Sequence, residues 1–245
     1  MMRKVALIVS LVFTVSLAIG LAATGGTANP ARISAAKASA QIPFGNTDLF
    51  VQINATDGDA GLQLALDGEA WKSLKVFAPG GRKILNVSGK GKLKSFGLTG
   101  LTFESETPGL DEIEEFKAIF PEGEYVFRGK TVEGQKLVGT ATLTHDFPAG
   151  PVVVAPGEDA VVSRDNLVVS WNPVTEPPGI VIVAYQVIVT QNDPHRVISL
   201  DPPAGATSVT VPPELLEPDK EYKLEVMAQE ESGNQTTTEL LFWTN

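Results

Sequence analysis

His145 and His195 are the only imidazoles in the 245-residue chain, and it has no cysteine. A serine or cysteine nucleophile needs a base held in place by a third group. Neither histidine has a Gly-x-Ser-x-Gly elbow to serve, and the two fall in different halves of the sequence. No His-Glu-x-x-His spacing or close histidine pair suggests zinc. The expectation is therefore no catalytic residue, no cofactor and no metal ligand.

Carboxylates are abundant, at 29, but a glycosidase needs two of them at a defined separation across a sugar, which abundance does not supply. Asp111, Glu112, Glu114 and Glu115 fit the solvated first turns of a helix. The loop Asn54-Ala55-Thr56-Asp57-Gly58-Asp59-Ala60-Gly61 has oxygen ligands of the kind calcium takes. It lacks the spacing of a helix-loop-helix calcium site and reads first as a hairpin turn, leaving open whether Asp57 and Asp59 bind calcium.

A contrast in charge follows. Lys72, Lys75, Arg82, Lys83, Lys90, Lys92 and Lys94 occur with no acid among them. Lys90, Lys92 and Lys94 at period 2 would project from one face of an extended segment. Residues 72–94 are then either a surface for an anionic partner such as a cell-envelope polymer, or a lysine-guarded edge strand. Aromatics are not interleaved there, and the chain as a whole carries a formal net charge of −10, so nucleic acid is not an expected partner. Asn54-Ala55-Thr56, Asn86-Val87-Ser88 and Asn234-Gln235-Thr236 are acceptor sequons for glycan, a short pattern that arises readily by chance.

The first 23 residues read as a secretory signal peptide: Arg3 and Lys4, an uncharged apolar run at 5–19, then small residues with cleavage expected near Ala22, Ala23 or Ala28. The run is shorter than the roughly 20 residues a spanning helix needs, so no membrane span is expected after cleavage. The loss of Arg3 and Lys4 takes the charge from −10 to −12. An exported chain without cysteine must hold each domain by its core alone.

Residues 24–44, rich in Ala, Ser, Thr and Gly, read as a flexible spacer. A first domain is expected over 45–148 and a second over 151–245, with Pro148-Ala149-Gly150-Pro151 as hinge. In the first, Leu49, Val51 and Ile53 alternate before the turn Asp57-Gly58-Asp59, and Leu62, Leu64 and Leu66 before a turn at Asp67-Gly68. Leu74 and Val76 precede Pro79-Gly80-Gly81; Ile84, Leu85 and Val87 precede Gly89, with Leu98, Leu101 and Phe103 after it. Leu110, Ile113, Phe116 and Phe120 give one short helix. Strands at Tyr125-Val126-Phe127 and 137–143 close the domain around Glu133-Gly134. The pattern predicts an all-β chain of two tandem antiparallel β-sandwiches, the first with one short helix.

In the second half LVVSWNPV, residues 167–174, is followed by alternating Tyr185, Val187 and Val189, and then by Leu216-Glu217-Pro218-Asp219-Lys220-Glu221-Tyr222. These segments resemble the fibronectin type III family over about 152–245. The resemblance implies an immunoglobulin-like sandwich with Trp171 packed between its sheets. It also implies a tyrosine corner, the Tyr222 hydroxyl reaching back to a backbone group. The tip carrying Arg-Gly-Asp in adhesive members corresponds here to Glu230-Glu231-Ser232-Gly233-Asn234, so that activity does not carry over.

The expected function is a non-catalytic exported binding protein, periplasmic, cell-surface or secreted, with an unidentified protein or glycan of the cell envelope as partner. The alternatives are a carbohydrate-binding accessory protein, for which Trp71 is the first half's only tryptophan, and a carboxylate-based hydrolase.

Overall fold

The computed structural model describes residues 41–105 and 108–245. The export signal and most of the spacer lie outside the described residues. Among the described residues no helix is long and apolar enough to cross a membrane.

The chain is all-β. Its first half runs β1 (Gln41–Pro43), β2 (Asn46–Asn54), β3 (Asp59–Phe77), β4 (Lys83–Ser88), α1 (Lys92–Phe96), β5 (Leu98–Glu104), α2 (Ile113–Ile119), β6 (Gly123–Thr131) and β7 (Lys136–Leu143). The second half follows as β8 (Val153–Ala155), β9 (Ala160–Val162), β10 (Val168–Trp171), β11 (Ile182–Gln191), β12 (Arg196–Leu200), β13 (Ser208–Thr210), β14 (Glu221–Glu230) and β15 (Gln235–Thr244).

Four sequence expectations change. No turn forms at Asp67-Gly68: β3 continues for 19 residues, and its register shifts on either side of Trp71. Such bulges bend a strand without ending it. The part before the bend pairs with β2 and β5, and the part after it with β4 and β6, so one strand serves two sheet surfaces. Gly68 is small for a packing reason: a Cβ there would lie 2.8 Å from the Phe44 ring.

Second, residues 41–44 are not spacer. β1 pairs in parallel with β7, and Phe44 is buried in the core. Third, the segment holding Lys90, Lys92 and Lys94 is not extended. Leu93 N–H bonds to Lys90 O and Gly97 N–H to Leu93 O, winding residues 92–96 into the short helix α1. Fourth, residues 148–151 are not a free hinge. The Pro148 carbonyl accepts from Thr236 Oγ1 at 2.6 Å, and Ala149 N–H donates to Glu176 O at 2.9 Å.

Two apolar cores form. One gathers Leu62, Leu64, Trp71, Leu74, Tyr125 and Phe127 with Phe116 of α2. The other gathers Val169, Trp171, Tyr185, Leu224 and Phe242. Trp171 is 2% exposed, with the Tyr185 ring 5.2 Å away. The Tyr222 corner forms as the resemblance implies: its hydroxyl accepts from Glu217 N–H at 2.8 Å and donates to Gln191 Oε1 at 2.9 Å.

The two cores share one sheet of order β1-β7-β6-β3-β2-β15-β14-β11-β12. The join is a parallel pairing of β2 with β15, Gln52 to Asn54 against Gln235 to Thr237. Farther along, β15 uses the same edge to pair with β9. A separate sheet, β13-β10-β8, covers the second core.

Candidate functional site

The seam between the cores is organised around Asn234, in the hairpin between β14 and β15. Its Oδ1 accepts from Val51 N–H at 2.8 Å. Its Nδ2 faces the Thr144 carbonyl at 3.1 Å, Thr144 Oγ1 at 2.9 Å and the Asp146 carbonyl at 3.1 Å. The hairpin that aims it is braced by Glu230, a buried carboxylate that accepts from Ser232 N–H at 2.8 Å and Asn234 N–H at 2.9 Å. A buried amide with both ends used cannot carry a glycan, so the Asn234 sequon is structural. Asn54 is also buried, whereas Asn86 is exposed on β4.

The Asn54–Gly61 loop is a turn that feeds the seam. Asn54 Oδ1 accepts from the N–H groups of Thr56 and Asp57, at 3.0 and 3.1 Å, the local pattern that asparagine favours in turns. Its Nδ2 donates to Asp57 Oδ2 and to Glu239 Oε1. Among the described residues no three acidic or imidazole groups converge in a way that could hold a metal ion.

Carboxylates do gather beside this turn. Lys223 Nζ lies 3.2 Å from Glu225 and 3.3 Å from Glu239. Burial raises the pKa of Glu225 against the pull of Lys223. Asp59 is raised by burial and then by Asp57 and Glu239; Glu104 is raised by burial, with Asp59 adding to it. A carboxyl whose pKa is higher folded than unfolded contributes stability at low pH, and that contribution is lost as pH rises through the folded pKa. Asp59→Asn is therefore expected to raise Tm at neutral pH, by no more than about 2 °C, and to change nothing near pH 3. Thermal unfolding at the two pH values checks this.

The histidines do not meet. His145 Nε2 lies 2.9 Å from the Phe120 carbonyl, and His195 is exposed in the β11–β12 loop. Trp71, the tryptophan that a sugar platform would use, is fully buried. Phe96 and Trp243 are the exposed aromatics among the described residues, one in each half.

The basic stretch divides. Lys72 Nζ is tied to the Val132 carbonyl at 2.9 Å, and the Arg82 guanidinium donates to the Ile119 carbonyl. Lys83 lies on β4, which among the described residues pairs with β3 alone, and so guards an edge. Lys90, Lys92 and Lys94 are exposed around α1. With them stand Leu93, 52% exposed, and Phe96, 84% exposed. The basic residues are legible in the sequence; the role of their apolar companions is not. The period-2 reading had no place for Leu93 and Phe96, which are three apart and share a face only once the segment is helical.

No curated protein matches the chain. Among solved structures it is similar to chicken CNTN1 FN1–FN3 domains, at 15% identity and a TM-score of 0.33, covering 83% of this chain. The chain spans 65% of the length of that FN1–FN3 segment. A two-domain fibronectin type III segment of chicken tenascin aligns at 12% identity and a TM-score of 0.29, covering 81% of this chain and 97% of that one. Residues 155–242 match the family model of the fibronectin type III domain, so the second core, built on Trp171, Tyr185 and Tyr222, belongs to a domain of that kind.

Proposed function

We propose that the chain is an exported, non-catalytic binding protein of the cell envelope, with two β modules, one on either side of residues 148–151, fused into one rigid body that presents the α1 tip to an anionic partner. The observation that carries this reading is the tip itself: three exposed lysines around an exposed Leu93 and Phe96. Rigidity serves binding, because a surface held in one orientation loses less freedom on association. Export is supported by the signal layout of residues 1–23.

Reversing the tip charges in the combined variant Lys90→Glu, Lys92→Glu, Lys94→Glu tests the reading. Binding of the full chain to isolated envelopes is expected to fall at least about tenfold, and wild-type binding to weaken with added salt. Equal binding by the reversed variant would overturn the placement of the surface. Turnover of a glycan or ester by purified protein would overturn the non-catalytic half.

A further inference from the structure

Phe96 is the most exposed large apolar side chain among the described residues, none of which covers it. The tip is nonetheless built. Gly89 N–H bonds to Lys72 O, and a Cβ on Gly97 would lie 2.8 Å from both Ala70 and Val132, so α1 is seated closely on the bend of β3. Leu93 and Phe96 occupy one face of the helical turn, while Lys92 and Lys94 flank that face and Lys90 precedes it. No acid occurs between Glu69 and Glu104, although the whole chain is acidic.

We infer that the α1 tip docks on an anionic lipid bilayer, Leu93 and Phe96 entering the interface between headgroups and acyl chains while Lys90, Lys92 and Lys94 meet lipid phosphates. The inference rests on the binding role just proposed and names its partner class. A soluble phosphate polymer would engage the lysines and leave Phe96 in water. A bilayer takes both kinds of side chain at once: apolar groups sink below the headgroups, and lysine stems reach back to the charged plane. Anionic surface potential adds attraction for each lysine and decays within a Debye length. The acidic remainder of the molecule is repelled by the same surface, which permits approach only with this tip foremost.

The chain has no cysteine, so a single one at position 96, Phe96→Cys, takes one environment-sensitive nitrobenzoxadiazole label, whose aromatic ring stands in for the phenyl as the inserting group. On mixed phosphatidylglycerol–phosphatidylcholine vesicles its emission is expected to shift to the blue and rise several-fold. On phosphatidylcholine alone, or with soluble polyphosphate, it is expected to stay as in water. The same label at Ser208→Cys, exposed on β13, is expected not to respond. Unlabelled Phe96→Ser and the triple lysine reversal are each expected to weaken flotation with the anionic vesicles at least about tenfold. A label at 96 that stays in water on anionic vesicles overturns the inference, as does an equal response at position 208. An equal response to polyphosphate assigns the tip to a polymer instead. Retained, lysine-dependent binding to envelopes with an unresponsive label would remove the lipid and leave the binding role standing; loss of both would remove both.

Discussion

Asn234→Ala is expected to destabilise the folded chain by about 2–4 kcal/mol, because it strands the buried Val51 N–H and takes the shared donor from two part-buried carbonyls. Val51 N–H loses its acceptor, and the Thr144 and Asp146 carbonyls lose their donor. An unsatisfied buried backbone group costs about 1–3 kcal/mol, and water cannot readily replace an amide that is 1% exposed. The effect is expected to be local to the seam. Each half keeps its own apolar core, so a chain that unfolds in one transition is expected to unfold in two once the clamp is gone. Asn234→Asp is a sharper version: the acceptor for Val51 survives, but a carboxylate oxygen then faces two carbonyls. Denaturant unfolding followed by tryptophan emission separates the halves, since Trp71 reports one core and Trp171 the other. A single, unshifted transition in either variant would show that Asn234 does not hold the seam.

Phe44→Ala is expected to cost about 3–5 kcal/mol, the range for deleting a buried phenyl ring. The site has little freedom to collapse. Added Cβ atoms at Gly68 and Gly129 would each lie 2.8 Å from the Phe44 ring, and one at Gly139 would lie 3.3 Å from it. Three glycines thus form the walls of the pocket the ring fills, and a glycine has no side chain with which to fill a void. The loss is expected to move the first-core transition and leave the second in place. A change below about 1 kcal/mol would mean that residues 41–44 behave as the spacer their composition suggests.

Phe44 also shows where the sequence stops being legible. It lies between Gln41-Ile42-Pro43 and Gly45 after a run of small residues, and Ile42 is its one apolar neighbour at period 2, too short a pattern to mark a strand. Its role depends on Gly68, Gly129 and Gly139, which are brought to it by pairings distant in the sequence. The second half was readable because its signals are local: Trp171 within one strand, and Tyr222 reaching a backbone group five residues away. Period 2 located β2 and β3 correctly, but it could not tell a bulge at Gly68 from a turn, since glycine suits both. Asn234 looked like a sequon and a hairpin residue. Nothing within its own segment shows that the amide faces Val51, 183 residues earlier. At the tip, charge was visible because lysines are conspicuous, whereas Leu93 and Phe96 were hidden among many other apolar residues.

The parallel β2–β15 pairing has a consequence for the order of assembly. Until residues 234–237 have been synthesised, β2 has hydrogen-bonding groups with no strand to meet them, although β3 is available as soon as the first hairpin is made. The first half therefore passes through a stage with a vacant edge, the kind of surface on which chains add to one another. Closure across so long a loop is slow compared with making a hairpin. The seam is thus the step at which a crowded, half-made population is most exposed to wrong pairing, and its completion removes the template.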